Sequence, residues 1–421
     1  MADKQKLVYD WNLIGESEPL TNKRVLLDDE TLRDGLQSPT VSDPTIEDKI
    51  HLLHLMEELG IHMLDIGLPG AGPRAKADSL ALAREIARSR LSIRPNCAAR
   101  TTIQDIDPIL EIAEQTGVTI DAATFIGSSM IRQYVENWTF DDLLRRTEEA
   151  VTYAMRRGVP VMYVTEDSTR AFPDTIKRLY TAAINCGARH IVLTDTVGHA
   201  TPAGARALVK FVIEEVVKPS GQDILISWHG HNDRGLSVIN SLAAVQAGAD
   251  VIHGCALGIG ERVGNTPMDQ VLVNLKLLGA IDQDLIKLKD YCETASRACH
   301  VAIPPGYPVF GSDAFRTATG VHAAAVIKAF KKGETELANT VYSGVPSHLF
   351  GLEQIIDVGP MSGKSNVIYW LEKRGIQATE ERVNAIYNKA KQSDRLLTIE
   401  EVLAAIHVPS IRERRKTIRG K

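Results

Sequence analysis

Two histidines that lie two positions apart, His229 and His231 in SWHGHND, form the clearest chemical pattern in this chain. On a β-strand, residues i and i+2 point to the same face, so both imidazoles would face one space. Two imidazoles and one carboxylate are a typical ligand set for a divalent transition metal, and Asp34 in ETLRDG is the carboxylate that we expect to complete it. The alternative is a pair of hydrogen-bonded histidines in the core.

Arg33 and Glu166 are candidate catalytic residues. Arg33 precedes Asp34, and a guanidinium beside a metal ligand suits the stabilisation of negative charge on a substrate oxygen. An ordinary surface ion pair is the alternative. Glu166 follows an apolar run and is a candidate general acid or base, with a solvated loop carboxylate as the alternative.

The elements that must position these residues alternate regularly between residues 22 and 285. One pattern occurs eight times: a short β-rich run, then polar or glycine residues, then a stretch with helical periodicity. This pattern predicts parallel strands with crossover helices. Eight such units in about 260 residues match the size of a closed (β/α)8 barrel. We therefore predict an α/β protein built on a TIM barrel. Its strands are expected at 25–30, 62–69, 92–100, 120–127, 161–167, 190–198, 223–233 and 250–260.

In (β/α)8 barrels the active site lies at the C-terminal ends of the strands. The first predicted strand leads into Arg33 and Asp34, the fifth into Glu166, and the seventh into the two histidines. Because the first strand adjoins the last strands around a closed barrel, Asp34 can meet the histidines. We expect these side chains to converge on one mouth.

The sequence changes character after residue 285. A loop-rich stretch is followed by expected helices near 319–330, 365–374, 379–392 and 398–406, so residues 286–421 are predicted to form a smaller, mainly helical C-terminal region. Residues 1–21 are interpreted as an N-terminal extension. The basic segment SIRERRKTIRGK at 410–421 is expected to be a solvated tail, and the alternative is that it grips the phosphates of a ligand.

Composition and charge exclude several classes of function. The 421 residues are 44% hydrophobic and 24% charged with a net charge of −5, so there is no global positive field for nucleic acid or an anionic membrane surface. The N-terminus lacks the apolar core of a signal peptide, and no apolar run approaches the roughly 20 residues that span a bilayer. Five cysteines without a C-x-x-C pair fit a reducing compartment. We expect a cytoplasmic protein that binds neither nucleic acid nor a membrane.

Three ordered segments resemble one family of enzymes: DDETLRDGLQSP (28–39), SWHGHNDRGLSVINSLAAVQAGAD (227–250) and GIGERVGNTPMDQVL (258–272). The family comprises metal-dependent aldol and Claisen enzymes, among them 2-isopropylmalate, citramalate and homocitrate synthases and 3-hydroxy-3-methylglutaryl-CoA lyase. The chain most resembles the 2-isopropylmalate synthases. The similarity covers the barrel and much of the C-terminal region.

This resemblance implies a metal site and a substrate site. A divalent cation, with Mg, Mn, Co and Zn all left open, would be bound by Asp34, His229 and His231, with Asn265 as a direct or water-mediated fourth contact. Arg33 would lie against the keto oxygen of a 2-keto acid. Arg100 and Thr196 would hold the carboxylate of that acid.

The resemblance also implies a second substrate, acetyl-CoA, which must lose a proton from the carbon next to its thioester. The segment AFRTATGVHAAAVIKAF resembles the one that carries the catalytic histidine of the synthases, which maps to His322. Tyr342 in NTVYSGVPSHLFG and Glu166 would complete this set. Such synthases are dimers whose C-terminal region covers the partner's barrel, so the resemblance implies a homodimer with an active site completed in trans.

The third and fourth predicted strands bear on the identity of the keto acid. Where 2-isopropylmalate synthases usually carry a histidine before T-F-I, this chain has Ala123. Small side chains there would leave room for a branched or longer keto acid: Ala98, Ala99, Ala122 and Ala123. The expected reaction is an acyltransferase reaction that joins acetyl-CoA and 2-oxoisovalerate into 2-isopropylmalate in leucine biosynthesis. Homocitrate synthesis, and then citramalate or citrate synthesis, are alternatives, and a non-catalytic barrel that binds a metal or metabolite is an alternative of another class.

Overall fold

The computed structural model describes residues 7–13, 20 and 24–406. Most of the predicted N-terminal extension, 1–21, lies outside the described residues, and the basic segment 410–421 lies wholly outside them. The chain divides into two units, Met1–Ala302 and Ile303–Lys421.

Eight parallel strands form a closed barrel in the first unit, in the order of the chain. The strands are β1 (Leu26–Asp29), β2 (Met63–Asp65), β3 (Arg94–Arg100), β4 (Asp121–Gly127), β5 (Val161–Glu166), β6 (His190–Asp195), β7 (Leu225–Gly230) and β8 (Val251–Gly254). β1 pairs with β8 from Leu26 opposite Val251 to Asp29 opposite Gly254, which closes the cylinder. The predicted TIM barrel is confirmed.

Helices connect the strands of the first unit. They are α1 (Ile46–Glu58), α2 (Pro73–Ser89), α3 (Ile103–Thr116), α4 (Met130–Glu136), α5 (Phe140–Arg156), α6 (Pro173–Asn185), α7 (Pro202–Val212), α8 (Lys218–Ser220), α9 (Ser237–Ala247), α10 (Met268–Leu277) and α11 (Leu288–Cys299). A π-helical turn, Ile213–Val217, joins α7 to α8. Among the described residues, no helix is both long and apolar enough to cross a membrane.

Helix α1 shows how local sequence sets the ends of an element. The side chain of Thr45 accepts a hydrogen bond from the backbone nitrogen of Asp48 at 3.2 Å, which caps the start of the helix. Gly60 adopts a φ of +72° just after the end, a conformation that favours glycine. Leu52 and Met56 are fully buried, so this face packs into the protein.

Helix α11 belongs to the first unit, although the sequence placed the end of the barrel at residue 285. The hydroxyl of Tyr291 on α11 donates a hydrogen bond to Asp29 at the end of β1, and it also contacts Thr31 Oγ1 at 3.3 Å. All three side chains are fully buried. Helical periodicity does not reveal which unit a helix packs on, so the sequence could not place this one.

The second unit is mainly helical, as predicted. Its helices are α12 (Gly320–Lys331), α13 (Thr335–Thr340), α14 (Lys364–Lys373), α15 (Glu380–Lys391) and α16 (Ile399–Ala404), and a short parallel pair is formed by β9 (Arg316–Thr317) and β10 (Ile355–Ile356). One apolar cluster, which includes Trp370 and Ile386, packs α14, α15 and α16 together. A second cluster packs Val326 and Ile327 of α12 against Ala338 of α13.

Candidate active site

A cavity of about 290 Å³ lies at the C-terminal ends of the barrel strands. Its lining includes six candidate residues: Arg33, Asp34, Glu166, Thr196, His229 and His231. The predicted convergence at one mouth of the barrel is therefore present in the structure.

Asp34, His229 and His231 lie together at one side of this cavity. The Nε2 atoms of the two imidazoles are 3.3 Å apart, and Asp34 Oδ2 is 3.5 Å from His229 Nε2 and 3.8 Å from His231 Nε2. All three residues are buried, and their ligand atoms lie within 4.8 Å of one another. Two imidazole nitrogens and a carboxylate oxygen at these separations can close around a divalent cation.

Asn265 adjoins this group through the backbone, because His231 and Asn265 form an isolated antiparallel bridge. Its side-chain Nδ2 donates to Ile259 O at 3.1 Å. Its Oδ1 is buried and has no hydrogen-bond partner within the described part of the chain. A buried amide oxygen without a donor suits contact with a cation, so the residues present fit a divalent metal ion.

A glycine permits the close approach of Asn265. Gly260 has a φ of +150°, and a Cβ added there would lie only 2.1 Å from Asn265 Nδ2. The chain therefore needs glycine at this position both for its backbone conformation and for space. This explains one glycine of the segment GIGERVGN.

The charges around the two imidazoles differ. Glu30 Oε2 lies 2.7 Å from His229 Nδ1. Burial alone would lower the pKa of His229, but the carboxylate of Glu30 outweighs burial and raises that pKa. Burial, and then the neighbouring His229, lower the pKa of His231 to about 4. A neutral imidazole is the form that binds metals.

Arg33 is held on three sides by carboxylates. Its Nε donates to Asp65 Oδ2 at 2.7 Å and its Nη2 donates to Glu30 Oε1 at 2.9 Å, while Nη1 lies 3.2 Å from Asp34 Oδ2. The side chain is 17% exposed. It is therefore a fixed positive charge in the wall of the cavity rather than a surface ion pair.

Glu166 and Thr196 line the cavity from the ends of β5 and β6. Burial raises the pKa of the Glu166 carboxyl, and its Oε2 is 4.0 Å from Arg132 Nη2. The hydroxyl of Thr196 accepts from the backbone nitrogen of Asp167 at 2.8 Å and donates to Thr194 Oγ1 at 3.2 Å. Both side chains can reach a ligand in the cavity.

Arg100 is not brought to the cavity. It ends β3, and its guanidinium donates twice to Asp105, from Nε at 2.9 Å and from Nη2 at 2.8 Å. The side chain is 67% exposed. The role of Arg100 in holding a carboxylate stays a prediction.

His322 and Tyr342, which the resemblance assigns to one catalytic set, lie in contact in the second unit. Their rings stack with centroids 4.1 Å apart and an interplanar angle of 24°. Both side chains are exposed. Their catalytic roles stay predictions.

The apolar part of the cavity is built from neighbouring strands. In register, Ala98 of β3 lies opposite Ala123 of β4, and Ala123 lies opposite Met162 of β5. These three residues line the cavity. Ala99 and Ala122 are fully buried but do not line it, because successive side chains on a strand face opposite sides. Only two of the four alanines singled out in the sequence leave space in the cavity.

A family model described as HMGL-like matches residues 24–297. The chain belongs to the HMGL-like family. The curated relatives of this HMGL-like chain include a homocitrate synthase, AksA, of Methanopyrus kandleri, which is 34% identical over 370 residues, 87% of each chain. A probable 2-isopropylmalate synthase of the same organism is 34% identical over 88% of this chain and 70% of its own. The 2-isopropylmalate synthase of Vibrio cholerae is 30% identical over 93% of this chain and 75% of its own. The resemblance found in the sequence is confirmed.

Solved structures of HMGL-like proteins support the fold. The HMG-CoA lyase of Bacillus subtilis superposes with a TM-score of 0.58 at 20% identity, over 68% of this chain and 97% of the lyase. The HMG-CoA lyase of Pseudomonas aeruginosa has a TM-score of 0.55 at 23% identity, over 66% and 94% of the two chains.

Two cavity residues of this HMGL-like chain, Glu30 and His253, were not singled out in the sequence. Glu30 Oε1 is 3.0 Å from His253 Nδ1, and both side chains are buried. The sequence did contain a signal for such a pair. Asp28 and Glu30 lie two positions apart at the end of a predicted strand, so both carboxylates would point to the same face, and two charges in the barrel interior need partners. The sequence does not show that His253, on β8 opposite Asp28, supplies one.

Proposed function

We propose that this chain is an acyltransferase that catalyses the metal-dependent Claisen condensation of acetyl-CoA with 2-oxoisovalerate, giving 2-isopropylmalate and CoA in leucine biosynthesis. The observation that carries the proposal is the cavity itself. It joins the group Asp34, His229 and His231 to an apolar wall formed by Ala98, Ala123 and Met162. A 2-keto acid that chelates the cation and carries an alkyl side chain matches both the metal-binding group and the apolar wall.

Four side chains would hold the cation: Asp34, His229, His231 and Asn265. When bound, a divalent cation supplies Lewis acidity that polarises the carbonyl of the keto acid. Arg33, fixed between carboxylates beside this group, would face negative charge that develops on the keto oxygen. Thr196 would donate its hydroxyl proton to the carboxylate of the keto acid in place of its hydrogen bond to Thr194.

The apolar wall favours an alkyl side chain over a second carboxylate. Val164 and Val192 extend the wall formed by Met162, and a charged group placed against such a wall loses its hydration without compensation. The cavity-lining arginines are already paired: Arg33 with the carboxylates described above, and Arg262 with Asp233 at 2.9 Å. This arrangement favours 2-oxoisovalerate over 2-oxoglutarate, the substrate expected of a homocitrate synthase.

Deprotonation of acetyl-CoA would fall to His322, with Tyr342 stacked on it and Glu166 as the third member. The exposed His322 and Tyr342 side chains are free to serve a barrel mouth on the partner chain. We therefore propose a homodimer in which each second unit completes the partner's active site. The proposal also places the enzyme in the cytoplasm.

The test is the release of free thiol from acetyl-CoA by the purified chain. Protein stripped with a chelator is assayed with and without Mg²⁺, Mn²⁺, Co²⁺ or Zn²⁺, and with 2-oxoisovalerate, pyruvate, 2-oxoglutarate and oxaloacetate in parallel. The expected result is release that needs both a cation and 2-oxoisovalerate. Release with 2-oxoglutarate alone would identify a homocitrate synthase, and the absence of release with every acid would favour the non-catalytic barrel. Light scattering of the same sample measures the oligomeric state.

A further inference from the structure

A line of buried polar side chains continues from the cation ligands into the barrel. Glu30 Oε2 lies 2.7 Å from His229 Nδ1, and Glu30 Oε1 lies 3.0 Å from His253 Nδ1. His253 Nε2 lies 3.7 Å from Asp28 Oδ2, and both oxygens of Asp28 accept from Asn96 Nδ2 at 3.0–3.1 Å. One carboxylate, that of Glu30, therefore contacts two imidazoles at once.

The position of Glu30 decides which nitrogen of His229 carries the proton. An ionised carboxylate can only accept hydrogen bonds, so a neutral His229 carries its proton on Nδ1, the nitrogen that lies 2.7 Å from Glu30 Oε2. Nε2 is then left with its lone pair, and it points towards Asp34 and His231. A ligating histidine whose other nitrogen is held by a carboxylate is a recurrent arrangement that fixes both tautomer and ring orientation.

Glu30 is itself held in place by two donors. Arg33 Nη2 donates to Glu30 Oε1 at 2.9 Å, and His253 contacts the same oxygen. The side chain of Glu30 is buried and cannot swing into solvent.

We propose that Glu30 and His253 are positioning residues: Glu30 fixes the orientation of His229 for cation binding, and His253 holds Glu30. The inference rests on the proposed function, because it assumes that Asp34, His229 and His231 bind a divalent cation. It goes beyond that function by assigning a role to a carboxylate just after β1 and an imidazole on β8 that do not touch the cation.

A competing assignment is that Glu30, His229 and His253 form a cation site of their own, since their ligand atoms also lie within 4.8 Å of one another. The geometry favours the positioning role, because Glu30 Oε1 already accepts from Arg33 and His253. The positioning role requires one cation per chain, whereas the competing assignment predicts a second.

The experiment measures Co²⁺ binding to the metal-free full chain by calorimetry and by the visible absorption of the bound ion. Glu30→Gln places an amide donor where His229 needs an acceptor. The expected result is one cation per wild-type chain and an affinity about 10- to 100-fold weaker in Glu30→Gln, with a shifted Co²⁺ spectrum. His253→Asn leaves Glu30 in place and is expected to weaken binding in the same direction by a smaller factor.

The matched control is Glu85→Gln. Glu85 is also a buried carboxylate that contacts an imidazole, with Oε1 2.8 Å from His54 Nε2, but the pair joins α1 to α2 away from the cavity. Its loss should leave Co²⁺ affinity and spectrum unchanged. Thermal unfolding of each variant separates a general loss of folding from a local effect. If Glu30→Gln fails to fold, His253→Asn decides the matter.

The outcomes separate this inference from the proposed function. A wild-type chain that binds no cation would overturn both. Wild-type binding with unchanged affinity and spectrum in Glu30→Gln and His253→Asn would overturn the positioning role alone. Two cations per wild-type chain would also overturn it, in favour of a second site.

Discussion

The Nε2 atoms of His229, in β7, and His231, directly after it, lie 3.3 Å apart. Two lone-pair nitrogens this close repel each other unless a proton or a cation lies between them. The carboxylate of Asp34 on the same side supplies negative charge that favours a cation. The pair is therefore the feature from which the metal-dependent predictions follow.

Removal of one ligand should abolish cation binding. His231→Ala removes a side chain that would bind the cation directly. We therefore expect cation affinity to fall by more than the roughly 100-fold typical of residues that only support a ligand, and turnover to fall to background. Calorimetric titration of the metal-free chain measures this. His51→Ala, on the exposed side of α1, should bind normally. Unchanged affinity in His231→Ala would contradict the assigned ligand set.

A larger side chain at Ala123 should change which keto acid is used. Ala123→Val adds volume to the wall opposite Met162, so we expect kcat/KM for 2-oxoisovalerate relative to pyruvate to fall by about 10-fold or more. Ala122→Val on the same strand is the control, since Ala122 does not line the cavity. It is expected to lower the free energy of unfolding without changing the ratio of the two acids. Equal ratios in both variants would count against this wall as the alkyl pocket.

The ionised form of Glu166 should set the acidic limb of the pH profile. Because burial raises the pKa of Glu166, its carboxylate becomes protonated, and activity falls, at a pH above the roughly 4.3 of a free glutamate. Glu166→Gln should remove that limb and lower kcat by about 10²- to 10⁴-fold. The measurement is kcat/KM as a function of pH, with the exposed Glu149→Gln as control. A limb that persists in Glu166→Gln would assign it to another group.

Loss of His322 should slow condensation while leaving keto-acid binding intact. We expect His322→Ala to lower thiol release by about 10²- to 10⁴-fold, because the imidazole lies in the second unit and the proposed keto-acid site lies in the barrel. Calorimetry with 2-oxoisovalerate and Mn²⁺ measures binding separately. Tyr342→Phe keeps the stacked ring and tests the hydroxyl alone. Full activity in His322→Ala would remove it from the role of base.

Buried His190 should make the fold sensitive to acid. Burial, then His253 and Arg94, lower its pKa to about 3, while an unfolded histidine titrates near 6.5. Between these values only the unfolded chain binds the proton, so stability falls as pH drops, by up to about 1.4 kcal/mol per pH unit. Denaturant unfolding from pH 7 to 4 should show a shallower loss in His190→Gln than in wild type. If the free energy of unfolding fell equally with pH in the two proteins, His190 would not titrate in this way. His51→Gln, at an exposed position, is the control.

Much of the barrel and part of the site could be predicted because they depend on local patterns. Hydrophobic runs alternating with helical periodicity predict eight strands, and strand ends predict where Asp34, Glu166 and the two histidines gather. Strand alternation also separates Ala98 and Ala123 from Ala99 and Ala122, but only once the register between β3 and β4 is known. The register depends on which residues of the two strands pair, and a single sequence does not specify that pairing.

The sequence by itself determined the closed barrel, the mouth at which its polar residues meet and the family, because periodicity and ordered motifs are properties of the chain alone. Tertiary structure decided which partners those side chains have. Arg100 turned to Asp105 rather than to the cavity, α11 joined the barrel through Tyr291, and Glu30 met His253 from 223 residues away. Glu30 is a buried charge, and it pairs with the imidazole that closure of the barrel between β1 and β8 brings near, since leaving such a charge unpaired is costly.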